Sequence, residues 1–316
     1  MVALKVGKPV TITHSSKAAF LDCPHKYYLS YERLLSPVTL STNLVIGDVV
    51  HRGLAAILSD KTTIETVISD VIGPALDAVR SAHFDDPEEF EAHATAVDAM
   101  IVGWSEHRGF LKDLRAARVG ERQMIEIPFD VSIPGTAARL LGKMDAIVSL
   151  KDGYWIVEHK TAGQLGEGYI KRLAVDDQVT NYFYAASQIL PSKPVGVIYN
   201  VLRKPSARPT KKETLSQYLN RMVEDYKARP DFYYYQTKLY RDSDSVKRLC
   251  NSLKYVVEDI QRSRDRSFWV RNTSNCTRMG TCSFLPICTG GELPEVMARY
   301  VVREERHPEL KSDSAD

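Results

Sequence analysis

The stretch GKMDAIVSLKDGYWIVEHKTAG, residues 142–163, places Asp145, Glu158 and Lys160 in two apolar-rich runs joined by a Lys151-Asp152-Gly153 turn. The β-branched and aromatic content and the turn predict a β-hairpin. Residues two apart on a strand share a face, so Glu158 and Lys160 point one way and His159 the other. Counting back from the turn puts Asp145 roughly opposite Glu158. Two facing carboxylates repel in a low-dielectric setting and need a cation between them. Mg²⁺ or Mn²⁺ suits such a site, as a hard ion held by one or two carboxylates plus water and phosphate oxygens. Lys160, on the same face as Glu158, carries the charge to orient a metal-bound water and to offset charge building on a phosphate. The competing reading is a solvated hairpin with two salt bridges, Asp145 with Lys143 and Glu158 with Lys160. The apolar neighbours, Ala146-Ile147-Val148 and Tyr154-Trp155-Ile156-Val157, weigh against it.

The elements around this hairpin follow from periodicity and breakers. ITHSSKAAFLDCPHKYYLSYERLL predicts a helix capped by Ser15 or Ser16 and interrupted at Pro24. NLVIGDVVHRGLAAILSD reads as an amphipathic helix carrying His51, and residues 62–84 and 87–117 look helical too. MIEIPFDVSI, ARLLGKMDAIVSL and YWIVEHKT form a three-strand meander. YIKRLAVDDQVTNYFYAASQIL then has helical period, with Gln178 and Tyr182 four apart on one face. PVGVIYNVLRK reads as a strand buried on both faces. ETLSQYLNRMVEDYKARP is helical, DFYYYQTKLYR extended, and DSVKRLCNSLKYVVEDIQRSRD helical with Ser243 or Asp244 near its start. The order β-β-β-α-β predicts an α/β fold: a mixed sheet flanked by helices. The expected organisation is one compact domain with a mainly helical part (1–118), a core sheet and helix (119–204), a helical part with a cysteine cluster (205–302) and a charged, disordered tail (303–316).

With 316 residues, 44% apolar and 26% charged, the chain excludes the disordered and collagen-like classes. No apolar run approaches the roughly 20 residues of a membrane span, and the N-terminus lacks the pattern of a secretory signal. A cytoplasmic location without membrane contact is therefore expected. The net charge of +2 leaves the partner class open, so an anionic ligand must meet a local patch. The densest one is RKPSARPTKK, with Arg203, Lys204, Arg208, Lys211 and Lys212; it is either a DNA contact or a solvated, Pro-broken loop. Five cysteines, an odd number, argue against a disulfide framework. Cys250 lies in an amphipathic helix and reads as a buried structural residue, while Cys276, Cys282 and Cys288 cluster near the end.

GKMD followed by EHK resembles the GxxD…ExK arrangement of the PD-(D/E)XK nuclease superfamily in its RecB-like branch. GDVVH is similar to that branch's G-x-x-x-H element and QVTNY to its Q-x-x-x-Y motif. CPHKYYL together with the three late cysteines resembles the branch's iron–sulfur-cluster exonucleases, of CRISPR-associated, AddB or phage type. The resemblance implies a PD-(D/E)XK core with a C-terminal Fe–S-binding cap. It implies Mg²⁺ or Mn²⁺ held by His51, Asp145, Glu158 and the main-chain carbonyl of His159, with Lys160 positioning water. Gln178 and Tyr182 would support the site and the DNA backbone. Cys23, Cys276, Cys282 and Cys288 would hold a 4Fe–4S cluster, with zinc as the alternative four-thiolate ligand. The spacing here is C-x₅-C-x₅-C where many relatives have C-x₂-C-x₅-C, and the paired knuckles of zinc fingers are absent. Glu126 would be accessory, facing the site or pairing with a basic residue. The implied function is a DNA nuclease, a single-strand-directed exonuclease of recombination, repair, phage replication or CRISPR adaptation. A helicase, recombination or CRISPR adaptation protein would be its partner, since the chain has no GxxxxGK[ST] element of its own. The alternative is a non-catalytic DNA-binding or scaffold protein on the same fold, stapled by Fe–S or zinc.

Overall fold

A capping box starts the first helix. Ser16 N–H donates to Thr13 Oγ1 at 3.0 Å and Thr13 N–H to Ser16 Oγ at 2.8 Å, so Thr13, not Ser15 or Ser16, is the cap. The computed structural model describes residues 9–59, 63–278 and 280–310, with the side chain of Glu309 left out. In chain order its principal elements are β1 (Thr11–Ile12), α1 (His14–Asp22), β2 (Leu35–Pro37), α2 (Thr42–Leu58) and α3 (Pro87–Glu106). There follow β3 (Ile125–Ser132), β4 (Arg139–Leu150), β5 (Gly153–Ala162), α4 (Asp177–Ile189), β6 (Gly196–Arg203) and α5 (Leu215–Ala228). The chain closes with β7 (Tyr234–Leu239), α6 (Ser243–Asp265) and β8 (Tyr300–Val302). The segment expected to be wholly extended before α6 begins instead with a helical turn, Pro230–Tyr233; proline at the first helical position loses no hydrogen bond. Helix α6 is capped by Asp242, whose carboxylate accepts from Ser245 N–H at 2.7 Å. No helix among the described residues is long and apolar enough to cross a membrane.

Contacts divide the chain into two units. The larger takes residues 39–127 and 144–241. In it the end of β4 pairs antiparallel with β5, β5 parallel with β6, and β6 antiparallel with β7, a mixed sheet as expected. Strand β6 is buried at every position but Arg203, which explains its unbroken apolar run. Helices α2, α3 and α5 bury Val50, Leu54, Met100, Ile101, Met222 and Tyr226 in the same core as Trp155, Val157, Ile198 and Leu202. A Cβ at Gly47, one turn ahead of His51, would stand 3.3 Å from Thr161 Oγ1 on β5. The glycine therefore lets α2 approach the strand that carries Glu158 and Lys160.

The second unit takes residues 1–38, 128–143 and 242–316. Strand β1 pairs parallel with the start of β4, Thr11 opposite Arg139, and β2 pairs antiparallel with β8. Gly142 lies under the Phe129 ring, where a Cβ would come within 2.1 Å of a ring carbon. The first position of the GxxD element is thus a steric requirement of packing. Cys250, on α6, is half-buried rather than buried. The described part of the charged C-terminal segment is tied down. Arg303 N–H donates to Leu34 O at 2.8 Å, Arg306 Nη2 meets Glu32 Oε2 at 3.0 Å, and His307 Nε2 lies 3.0 Å from Thr11 Oγ1. The expected disorder therefore does not hold for residues 303–310, and residues 311–316 lie outside the described chain.

Candidate active site

The hairpin β4–β5 is in register with Ala146 opposite Val157, which brings Asp145 and Glu158 beside each other. The His159 N–H donates to Asp145 Oδ2 at 2.7 Å across the strands. From α2, His51 Nδ1 stands 3.5 Å from Asp145 Oδ1. Lys160 Nζ pairs with Glu158 Oε1 on the shared strand face. Half of the salt-bridged alternative is therefore present, but not as a solvated pair: Glu158 is 1% exposed. Its second oxygen, Oε2, is buried without a hydrogen-bond partner.

Burial pushes the Glu158 pKa up to about 7, against the pull of Lys160 and with the help of the Asp145 charge. Burial would raise Asp145 as well, but His51 outweighs it, aided by His159 and Lys160, and holds this carboxyl well below its usual range. Burial also opposes a charged His51, yet Asp145 keeps that imidazole above the ordinary histidine value. Lys160 is likewise held above its usual value by Glu158 and Asp145, against burial. Two adjacent carboxyls with divergent proton affinities are what an acid–base or metal site needs.

The donor chemistry fits a hard divalent ion: an imidazole and two carboxylates, one of which, Glu158, has an orphaned buried oxygen that a cation would satisfy. The arrangement itself is one of internal ion pairs. Among the described residues no group of three or more His, Cys, Asp and Glu stands ready to hold a metal. Asp145 is engaged by His51 and the His159 amide, and Glu158 by Lys160.

Behind the strand lies a polar network that sequence reasoning missed. Trp104 Nε1 and Gln236 Nε2 both donate to Asn200 Oδ1, at 3.1 and 2.7 Å, and the Phe110 N–H orients Gln236 by donating to its Oε1 at 2.8 Å. Asn200 must then offer its amide to His159 Nδ1, 2.7 Å away. His159 is thereby set as the Nε2–H tautomer, and burial pushes its pKa down to about 4, so the ring is neutral. An asparagine inside the run GVIYNVLR was the available signal.

Gln178 Nε2 donates to the Tyr182 hydroxyl at 2.8 Å along one face of α4. Tyr182 is buried, and the charges of Glu158, Asp145 and Glu126 add to burial in raising its pKa. All three carboxylates therefore lie within electrostatic reach of that hydroxyl. Glu126 adopts φ +46°, a strained value for a residue with a side chain. Buried Arg241 pins the start of α4, donating to Thr180 Oγ1 at 2.8 Å and to the carbonyls of Leu173 and Asp176 at 2.9 and 3.2 Å. Nothing in its sequence neighbourhood marked it.

The basic segment is not a row of free cations. Arg203 lies over the Phe232 ring at 4.0 Å, Lys204 is buried with its pKa lowered by that burial, and Arg208 pairs with Asp86 at 3.4 Å. Lys211 and Lys212 are exposed. None of the five cysteines forms a disulfide. Cys23 Sγ accepts from Asn272 N–H at 3.4 Å, and Cys282 N–H donates to the Cys276 carbonyl at 2.8 Å. Burial raises the Cys288 pKa; Arg271 opposes this, while Cys282, Cys23 and Cys276 reinforce it. The four are neighbours, although they do not form a metal-holding group.

A mixed sheet whose central hairpin presents Asp and Glu-x-Lys defines a nuclease-type core. The family model of the PD-(D/E)XK nuclease superfamily matches residues 11–289, and the chain belongs to that superfamily. Its fold is similar to that of a protein from Eubacterium rectale provisionally assigned as an exonuclease. That match has a TM-score of 0.50 at 10% identity and covers 89% of this chain and 93% of the other. A phage-related exonuclease from Haemophilus somnus 129PT matches with a TM-score of 0.31 at 10% identity, over 72% of this chain and 97% of that one. No curated protein matches the chain.

Proposed function

We propose that this nuclease-superfamily protein is a metal-dependent deoxyribonuclease of the RecB-like branch, acting as a single-strand-directed exonuclease inside the cell. The observation that carries the reading is the ion pair of buried Glu158 with half-buried Lys160 beside Asp145, with Glu158 Oε2 unpartnered. Asp145, Glu158, His51 and the His159 carbonyl would hold Mg²⁺ or Mn²⁺, which when bound supplies Lewis acidity and an activated water. Lys160 stays protonated beside the carboxylates and offers its ammonium to the phosphate and the attacking water. Tyr182 keeps its proton and is oriented by Gln178 as a hydrogen-bond donor. Lys211 and Lys212 are the members of the basic segment best exposed to meet a DNA backbone.

Cys23, Cys276, Cys282 and Cys288 are the ligand set of a 4Fe–4S cluster in this reading, with zinc as the competitor. Cys23, Cys276 and Cys282 lie within electrostatic reach of Cys288. A helicase, recombination or CRISPR adaptation protein is the partner class. A binding-only scaffold is the second reading, favoured by the absence of a ready-made metal group among the described residues. The test is digestion of open and end-blocked single-stranded DNA by the anaerobically purified protein, with and without Mn²⁺. Metal-dependent loss of the open substrate alone supports the exonuclease. No digestion of either substrate with metal present leaves the scaffold reading in its place.

A further inference from the structure

The second unit contains a cleft of about 660 Å³, walled by Tyr28 and Trp269 and edged by His25, Phe268 and Arg271. That volume is in the range of small-ligand sites. Its wall is rigid: Tyr28 and Trp269 stack with centroids 5.5 Å apart, and Trp269 packs again on Tyr27 at 5.7 Å. The rim is built to face outward. Ser267 takes φ +49° after α6, and the amides of Ser267 and Phe268 donate back to Arg264 O and Ser263 O, both at 3.1 Å. This turn sinks Trp269 at 8% exposure while leaving Phe268 at 66%. The Phe268 ring therefore stands open to solvent at the edge of the cleft.

The charge beside the ring is positive. Glu32 is shared by Arg264 at 2.8 Å and Arg306 at 3.0 Å, so two guanidiniums meet one carboxylate there. Arg271 is exposed, lines the same cleft as His25 and Phe268, and has no ion pair among the described residues. A flat apolar ring beside an uncompensated guanidinium matches a base next to a phosphate, the repeating chemistry of a single strand.

We propose that this cleft is a subsite for single-stranded nucleic acid, a base stacking on Phe268 and a backbone phosphate pairing with Arg271. The proposal rests on the nuclease reading for its substrate class, but it concerns binding and not cleavage.

The test is fluorescence anisotropy of a labelled oligothymidylate with the full chain, without added divalent metal, comparing wild type with Phe268→Ala and Arg271→Ala. Both positions are exposed, so both variants should fold, as circular dichroism will report. Loss of stacking should weaken binding about fivefold or more in the Phe268 variant. Loss of a phosphate contact should weaken the Arg271 variant and reduce its salt slope by about one. Both should hydrolyse p-nitrophenyl thymidine phosphate like wild type in Mn²⁺, since that ester offers a single base. Wild-type affinity in both variants overturns the subsite. A loss confined to Phe268→Ala, with Arg271→Ala unchanged in affinity and salt slope, also overturns it, because the proposed phosphate contact is then absent. If wild type cleaves neither DNA nor the ester, the nuclease reading falls, while the anisotropy result still decides the subsite.

Discussion

Asn200 donates its side-chain amide to His159 Nδ1 at 2.7 Å, from the strand running parallel to the one that carries Glu158 and Lys160. The contact fixes the tautomer of the residue whose backbone N–H holds Asp145. Asn200→Leu should strand the Trp104 and Gln236 donors in a dry interior and cost at least about 2 kcal/mol in urea unfolding. Nitrogen NMR should report His159 as the Nε2–H form in wild type. An Nδ1–H signal would refute the assigned network.

Asp145→Asn and Lys160→Ala should each lower DNA cleavage in Mn²⁺ by about 100-fold or more, the scale of losing a charge aimed at the reacting phosphate. Near-ultraviolet circular dichroism should stay native for both. Wild-type digestion by either variant would remove that residue from the machinery.

The metal-free protein should lose stability as pH rises from about 4.5 to about 7. Glu158 has its pKa raised to about 7 from 4.5, so across that interval the folded state holds a proton the unfolded state has released. The raised His51 pKa acts in the same direction, its contribution being lost as pH rises. Asp145, held low, adds stability that is lost only in acid. Thermal melts should therefore fall between about pH 4.5 and 7, Mn²⁺ should restore them, and Glu158→Gln should flatten the slope. A level profile in the wild-type protein would contradict the buried, half-neutral Glu158.

Gly142→Ala should destabilise by about 1–3 kcal/mol, because the added methyl meets the Phe129 ring and something must shift. Pairing it with Phe129→Leu should recover part of the loss. Urea unfolding of both proteins measures the coupling, and no recovery would place the clash elsewhere.

Anaerobically purified protein should be brown, with a broad reductant-bleached absorbance near ~400 nm, as expected for a thiolate-ligated cluster. Cys276→Ser should reduce iron content and solubility. Zinc in place of iron would select the competing ligand.

The hairpin was legible because its information is local. Alternation, a Gly-containing turn and apolar flanks lie within a few residues of Asp145 and Glu158, and backbone geometry turns that spacing into facing side chains. Gln178 and Tyr182 were legible for the same reason, four residues apart on one helix turn. Tertiary structure alone decided which partners those groups meet. Trp104, Asn200 and Gln236 converge from distant positions on α3, β6 and β7, and Arg241 reaches back to Leu173, with no local pattern to announce either. The division into two units is of the same kind, since each gathers separated segments. Periodicity encodes which face a side chain takes; only packing, which weighs every buried polar group against the partners within reach, decides what stands across from it.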